Sequence, residues 1–333
     1  MLKAVAAKIR KEPCVAWMGN GPAGHYVKMV HNGIEYGIMQ LVSETYQLLK
    51  QAGLMSNDEI QGVFSHWNKG KLQSFLVEIT AAIFAQPDDL GPLAPSRVGR
   101  DETKGGIGRE GNRLIDMILD TAHQKGTGAW TSEDAMALGV PLPVIDAAVE
   151  ARNISAFKKE RVEASKILKG PGVKFTGNKN ELVSHLEDAL YFSMIAAYAQ
   201  GMALLQQASQ EYKYQLQLSE IARIWRGGCI IRASLLEEIR SAYLHQPDLP
   251  NLLVDKVISR EMNQSQAGLR QIIQIAVETG IPVPGMMAAL AYYDGYRSAW
   301  LPANLIQAQR DYFGAHTYER TDRKGVFHTH WNQ

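Results

Sequence analysis

Cysteine is scarce in this chain of 333 residues: Cys14 and Cys229 are the only two, far apart in sequence. Two isolated thiols supply neither a disulfide framework nor a four-ligand zinc site, and they fit a reducing, cytoplasmic location. No charge of one sign dominates either, with 35 lysines and arginines against 34 aspartates and glutamates. A formal net charge of +1 points to no nucleic-acid backbone and no anionic membrane surface. Apolar runs of about 18 residues or more, the length that spans a bilayer, do not occur. The opening MLKAVAAKIRKEP is too short and too interrupted by lysine for a secretory signal. What is present is 46% hydrophobic residues, enough for a real core in one large or two ordinary domains.

Strand signals are equally rare. Cys14–Met18 reads as a strand, preceded by a short helix at 2–10, and one strand cannot make a sheet. Residues 1–21 therefore read as the end of something that lies elsewhere. Almost everything else carries apolar residues at three- and four-residue spacing, the mark of amphipathic helices. This predicts long helices over 22–52, 142–168, 181–211 and 285–313. Shorter ones are expected over 57–68, 72–85, 131–138, 218–226, 229–246 and 263–279. Thr131 with Asp134, and Ser56 with Glu59, have the pattern of helix-start caps.

The sequence also repeats itself. EIQGVFSHWNKGKLQSFLVEI (59–79) returns as EIARIWRGGCIIRASLLEEI (220–239), and GVPLPVIDAAV (139–149) as GIPVPGMMAAL (280–290), in the same order. Two similar helical bundles packed face to face would produce this, so the expected fold is all-α, a duplicated helical bundle. The glycine-, proline- and charge-rich segment 87–112 breaks the rhythm and reads as a surface loop. The tail, 314–333, has little periodicity, and its aromatic residues suit docking on a surface.

The segment GNGPAG (19–24) fits the G-x-G-x-x-G pattern of a dinucleotide loop. That fingerprint needs a second parallel strand with an acidic end about twenty residues on. Here a helix of some thirty residues follows and leads to more helix, and Pro22 removes a backbone N–H from the turn. The loop is expected to be a hinge into the helix.

That helix carries Lys28, His31, Asn32 and Glu35 at i, i+3, i+4 and i+7, within an arc of roughly 100°. Val27, Val30, Ile34, Ile38 and Leu41 occupy a separate arc, the expected core face. Spacing alone leaves two readings open, a solvated face or an acid–base site. The chemistry of a cation, an imidazole, an amide and an acid suits the second. A lysine and a carboxyl about 10 Å of helix rise apart could serve as base and acid.

GHYVKMVHNGIEYG (24–37) resembles the signature helix of the 6-phosphogluconate dehydrogenase family, NADP-dependent oxidative decarboxylases of the pentose phosphate pathway. The resemblance extends through QKGTGAWT (124–131), ARNISAFKKERVEASK (151–166), YAQGMALL (198–205), WRGGCIIRA (225–233) and LPANLIQAQRDYFGAHTYER (301–320). It implies an all-helical second domain with a duplicated bundle. It also implies that residues 1–21 are a remnant of a coenzyme domain that is otherwise missing, that 22–313 form a substrate and dimerisation domain with an insertion at 87–112, and that 314–333 form an extended tail.

The same resemblance implies that Lys28 is the general base toward the 3-hydroxyl of 6-phosphogluconate and Glu35 the acid that protonates the enediol left by loss of CO₂. His31 and Asn32 would contact substrate hydroxyl and carboxylate, while Tyr36, Lys125, Thr127 and Arg152 would hold the phosphate. Arg310 and His316 would reach the neighbouring site of a homodimer. NADP is the implied cofactor, with no binding residue identified in this chain, and no metal is implied. Ile38 stands where the family pattern has aspartate. The function expected is that of the family's substrate site without its coenzyme domain, the alternative being a non-catalytic dimerisation or substrate-binding partner.

Overall fold

The structure, a computed structural model, describes residues 2–88 and 113–331. It falls into two compact units, Met1–Leu290 and Ala291–Gln333. The first opens with a single helical turn, α1 (Leu2–Val5), and a two-stranded antiparallel hairpin, β1 (Lys8–Ile9) and β2 (Glu12–Pro13). The expected helix over 2–10 thus stops after Val5, and the expected strand at Cys14–Met18 is not formed. An extended segment becomes a strand only when a neighbour takes its hydrogen bonds. Here the acceptors are taken by a side chain instead: Arg223 donates to the carbonyls of Pro13 at 2.8 Å and Val15 at 3.4 Å.

Helices make up nearly all the rest: α2 (Ala23–Gln51), α3 (Asn57–Trp67), α4 (Phe75–Ala85), α5 (Thr127–Ala137), α6 (Pro143–Ala156) and α7 (Lys158–Ile167). After them come α8 (Lys179–Glu211), α9 (Leu218–Trp225), α10 (Leu235–His245), α11 (Lys256–Thr279) and α12 (Pro284–Tyr296), which runs across the unit boundary. The all-α expectation holds, with small departures. Ser56 and Glu59 form the expected capping box on α3, exchanging bonds of 2.7 and 3.2 Å. Thr131 is no cap: α5 starts four residues earlier, after a left-handed Gly126, and the Thr131 hydroxyl instead contacts the carbonyls of Thr127 and Met29. The expected helix 142–168 breaks at Phe157, whose N–H closes a tight turn onto Ile154. The insertion at 87–112 lies outside the described residues apart from its first two, and Pro87 bridges back to Arg113.

The core is organised around α8, which is buried nearly all round, with Leu186, Leu190, Phe192, Ile195, Tyr198, Met202 and Leu205 almost fully enclosed. It packs on α2 and α11. Contact with α2 is close because Gly201 has no side chain: a Cβ there would sit 2.5 Å from Ile34 of α2.

The internal repeat is visible in three dimensions. The first turns of α4 and α10 meet across an antiparallel bridge of Ser74 and Ala233, with Phe75 N–H donating to Arg232 and Ser234 N–H to Gln73. Gly139 and Gly280 both take the left-handed conformation, at φ 69° and 70°, just ahead of the matching helices α6 and α12. Each of those helices is then capped from the other copy. Gln200 of α8 accepts from Val144 N–H at 3.0 Å, and Glu44 of α2 accepts from Gly285 and Met286 N–H at 2.7 and 2.9 Å.

The second unit contains α13 (Ala303–Gly314) and the hairpin β3 (Tyr318–Glu319) and β4 (Val326–Phe327). The expected helix over 285–313 is interrupted here at 297–302, where Pro302 precedes α13 and cannot continue a preceding helix. Buried Asp311 ties the tail together, accepting from the N–H groups of Thr317 and Thr329, from Trp331 Nε1 and from His328 Nδ1 at 2.9–3.1 Å. Burial opposes its charge, but these donors outweigh burial and hold the carboxyl well below the usual range. Among the described residues no helix is long and apolar enough to cross a membrane.

Two outcomes follow from this packing. Gly201→Ala gains about 1 kcal/mol of helix propensity but overpacks Ile34 at a cost of about 1–3 kcal/mol. It should lower the melting temperature by calorimetry. Burial, partly offset by the bonds from Gln40, Gly285 and Met286, raises the Glu44 carboxyl from 4.5 to about 7. The folded chain then holds a proton that the unfolded chain has lost, so the contribution of Glu44 to stability falls as pH rises from about 5 to about 7, by roughly 3 kcal/mol. His31, lowered to about 4, contributes in the opposite sense over part of this range, so the slope is read from the difference in urea stability between the natural chain and Glu44→Gln, in which the His31 contribution cancels.

Candidate active site

The polar stripe on α2 follows from how its apolar arc is buried. Val27, Val30, Ile34, Ile38 and Leu41 are all 3% exposed or less, so the adjacent arc lies along the edge of the buried face. Lys28 is exposed, Asn32 and Glu35 are half-buried, and His31 is buried at 2% exposure. His31 Nδ1 is the hub, 3.1 Å from Lys28 Nζ, 3.2 Å from Asn32 Oδ1 and 3.8 Å from Glu35 Oε2. All four members expected from the sequence are therefore brought together.

Electrostatics separate their roles. Burial first, and the Lys28 cation second, push His31 down to about 4. The imidazole is accordingly neutral at pH 7, with one N–H and one lone pair. Glu35 moves the other way: burial raises its carboxyl, against the opposing pull of Lys28 and Arg152. A carboxyl raised in this way keeps its proton longer and suits an acid.

Immediately after Glu35, buried Tyr36 lies beneath Arg152, whose guanidinium stacks 3.5 Å from the ring centroid. Burial lowers the Arg152 pKa, while Tyr36 and Glu35 pull it back up. Gly128, in the first turn of α5, makes room for Tyr36, since a Cβ there would be 2.4 Å from the ring. Thr127 is the first residue of α5, at a helix end that favours anions. The strand of chain leading into α5 is fastened to α6, with Gln124 donating to Asn153 at 2.8 Å and Ala122 N–H to Ser155 at 3.0 Å. Lys125 follows Gln124 and is exposed.

Arg310 and His316 belong to the Ala291–Gln333 unit. Arg310 is exposed and donates to Gln307 at 3.1 Å, and exposed His316 packs edge-on against Phe313 at 5.9 Å. Two contacts escaped the sequence. The Trp225 ring meets His31 edge-on at 5.7 Å, and the thiol of Cys229, pushed up to about 11 by burial, lies within electrostatic reach of Lys28. Both belong to the WRGGCIIRA block, a signal present in the sequence but carrying no assigned role.

The glycine loop does not fit a pyrophosphate. Asn20 N–H donates to Tyr214 O at 2.9 Å, its side-chain amide to Lys213 O at 3.3 Å, and Gly19 lies so close to Tyr214 that a Cβ would be 2.2 Å from its oxygen. The described residues hold two two-stranded antiparallel sheets and no parallel pair to form a dinucleotide crevice. Among them no group of three or more histidine, cysteine or acidic side chains could hold a metal ion.

A family model described as 6-phosphogluconate dehydrogenase, C-terminal domain, matches residues 24–331. The chain belongs to this family. It is 54% identical over 332 residues to the NADP(+)-dependent, decarboxylating 6-phosphogluconate dehydrogenase of Bacillus subtilis, covering 99% of this chain and 67% of that one. A decarboxylating 6-phosphogluconate dehydrogenase of Lactococcus lactis (strain IL1403) is 51% identical, with 98% and 66% covered. The solved Plasmodium falciparum 6-phosphogluconate dehydrogenase, described in apo form and in complexes with NADP+ and with 6-phosphogluconate, matches with a TM-score of 0.90 at 44% identity. That match covers 99% of this chain and 67% of that one. The chain thus spans about two thirds of the length of these relatives.

The order of causes on His31 is testable. Its imidazole signals should titrate near 4 by NMR in the folded chain, and Lys28→Met should raise that value without restoring the ordinary 6.5, because burial is the larger cause.

Proposed function

We propose that this chain provides the substrate site of a 6-phosphogluconate dehydrogenase, for the oxidative decarboxylation of 6-phosphogluconate to ribulose 5-phosphate. The observation that carries the reading is the α2 stripe: an amine and a raised carboxyl on either side of one neutral imidazole, with a stacked arginine beside them. Lys28, acting as its neutral amine, removes the 3-hydroxyl proton as that carbon is oxidised. The oxidation needs a hydride acceptor, NADP in the named relative from Bacillus subtilis, and no residue described here is assigned to hold it. The resulting 3-keto acid loses CO₂, its electron pair passing toward the neighbouring carbonyl to give an enediol. Glu35 then delivers a proton to carbon.

His31 and Asn32 hold hydroxyl and carboxylate oxygens, and Tyr36, Lys125, Thr127 and Arg152 surround the phosphate, matching donors to a dianion. In this reading residues 1–21 belong with a coenzyme domain, 22–313 bind substrate and dimerise, and 314–333 are the tail. Arg310 and His316 serve the neighbouring site in a homodimer, in the cytoplasm. The glycine loop, whose Asn20 N–H and side-chain amide are already taken, favours a second reading in which the chain by itself is a binding partner and not a complete enzyme.

Calorimetry with 6-phosphogluconate should show binding that Arg152→Ala weakens by about tenfold or more, since a charge-assisted pair is lost. Lys28→Ala and Glu35→Gln should leave the phosphate contacts intact. The purified chain with NADP+ should form almost no NADPH. Turnover near ~10 s⁻¹, typical of enzymes, would show that coenzyme is held by these residues after all. No binding of 6-phosphogluconate would remove the substrate assignment.

A further inference from the structure

The bridge that joins the two sequence repeats also borders a cavity. It has a volume of about 540 Å³, and Arg10, Phe75, Glu78, Arg226, Arg232 and Glu237 are among the residues lining it. Its three guanidiniums come from separate places: the turn of the N-terminal hairpin, the C-terminal end of α9, and the loop before α10. They are not equally committed. Arg226 is spent, donating to Glu12 at 2.6 Å and to Glu237. Arg232 lies over the Phe75 ring, its Cζ 3.7 Å from the centroid, and donates to Cys229 O at 3.2 Å. Its carboxylate neighbour Glu78 stands off at 3.7 Å.

Arg10 has no ion-pair partner among the described residues. It is held at the cavity by an uncommon turn, in which both Arg10 and Lys11 are left-handed, at φ 46° and 71°, without glycine. Two-residue hairpins of this kind ordinarily recruit Asn-Gly. The first turns of α4 and α10 converge on the same place and add the positive ends of two helix dipoles. The result is a recess with room for a small molecule and two guanidiniums short of a tight carboxylate.

We infer that this cavity is a second anion site, distinct from the stripe on α2, which takes the phosphate or pyrophosphate group of a small metabolite. A guanidinium fork matches such a group with two parallel hydrogen bonds. Its occupant is placed to affect the stripe. Arg226 follows directly on Trp225, which touches His31, and the Cys229 carbonyl that holds Arg232 belongs to the residue whose thiol faces the field of Lys28. One short loop therefore walls the cavity on one side and the stripe on the other.

The test uses inorganic pyrophosphate as the probe, on chains carrying Arg152→Ala so that the phosphate contacts near Tyr36 are weakened. Calorimetry should then show one site per chain tighter than that weakened one. Adding Arg10→Gly, which suits the left-handed turn and so keeps the hairpin, should weaken that site by about threefold or more. Adding Arg232→Gln should weaken it by about tenfold, the loss expected for one charge-assisted fork. Affinity unchanged from that of the Arg152→Ala chain in both double variants, or no binding in the Arg152→Ala chain, overturns the proposal. Either result leaves the binding of 6-phosphogluconate by the natural chain to be judged on its own.

Discussion

The contact between α2 and α8 fixes the orientation of α2, and the candidate site follows from that orientation. A helix turns about 100° per residue, so a roll of one position would carry Lys28 and Glu35 away from their edge and bring core residues to the surface. The close seat of Ile34 over Gly201 prevents such a roll. The polar stripe is thus set by packing: its place at the rim of the buried arc is what leaves Lys28 in solvent, Glu35 half-covered and His31 enclosed.

Partial burial along one helix then grades the chemistry. Glu35 and Glu44 are both raised by loss of water, yet they differ in what opposes it. Glu44 is met by backbone N–H groups at a helix start and has a structural task. Glu35 is half-buried and is met by the cations of Lys28 and Arg152. His31 responds in the opposite direction because its charged form is the protonated one. One stretch of helix holds an acid that favours its proton and a base that refuses one, without any unusual backbone.

Much of this was legible in the sequence because it depends on periodicity. The arc of Val27, Val30, Ile34, Ile38 and Leu41 separated from that of Lys28, His31, Asn32 and Glu35 by counting alone, and the capping box at Ser56 was readable from residue types. Failures came where a local pattern needed a distant partner. Cys14–Met18 has strand composition but no neighbouring strand among the described residues to pair with. Thr131 resembles a cap, yet a threonine hydroxyl can equally return to a carbonyl four residues back inside a helix. The contacts of Trp225 with His31 and of Arg152 with Tyr36 join residues more than a hundred positions apart. No spacing rule predicts those. The family resemblance, which named the candidate site residues, assigned no role to Trp225 or Cys229.

The exchange of caps between the two repeats has a consequence for how the chain acquires its structure. Glu44 finds the backbone of Gly285 and Met286 only across separations of 241 and 242 residues. During synthesis, the first bundle therefore emerges with a desolvation-prone carboxylate and waits until Gly285 and Met286 have been made. Contacts of such long range are slow to form, since the intervening loop must close first. The first bundle is consequently the stretch with most to gain from a chaperone, and its final locking is timed by the arrival of α12.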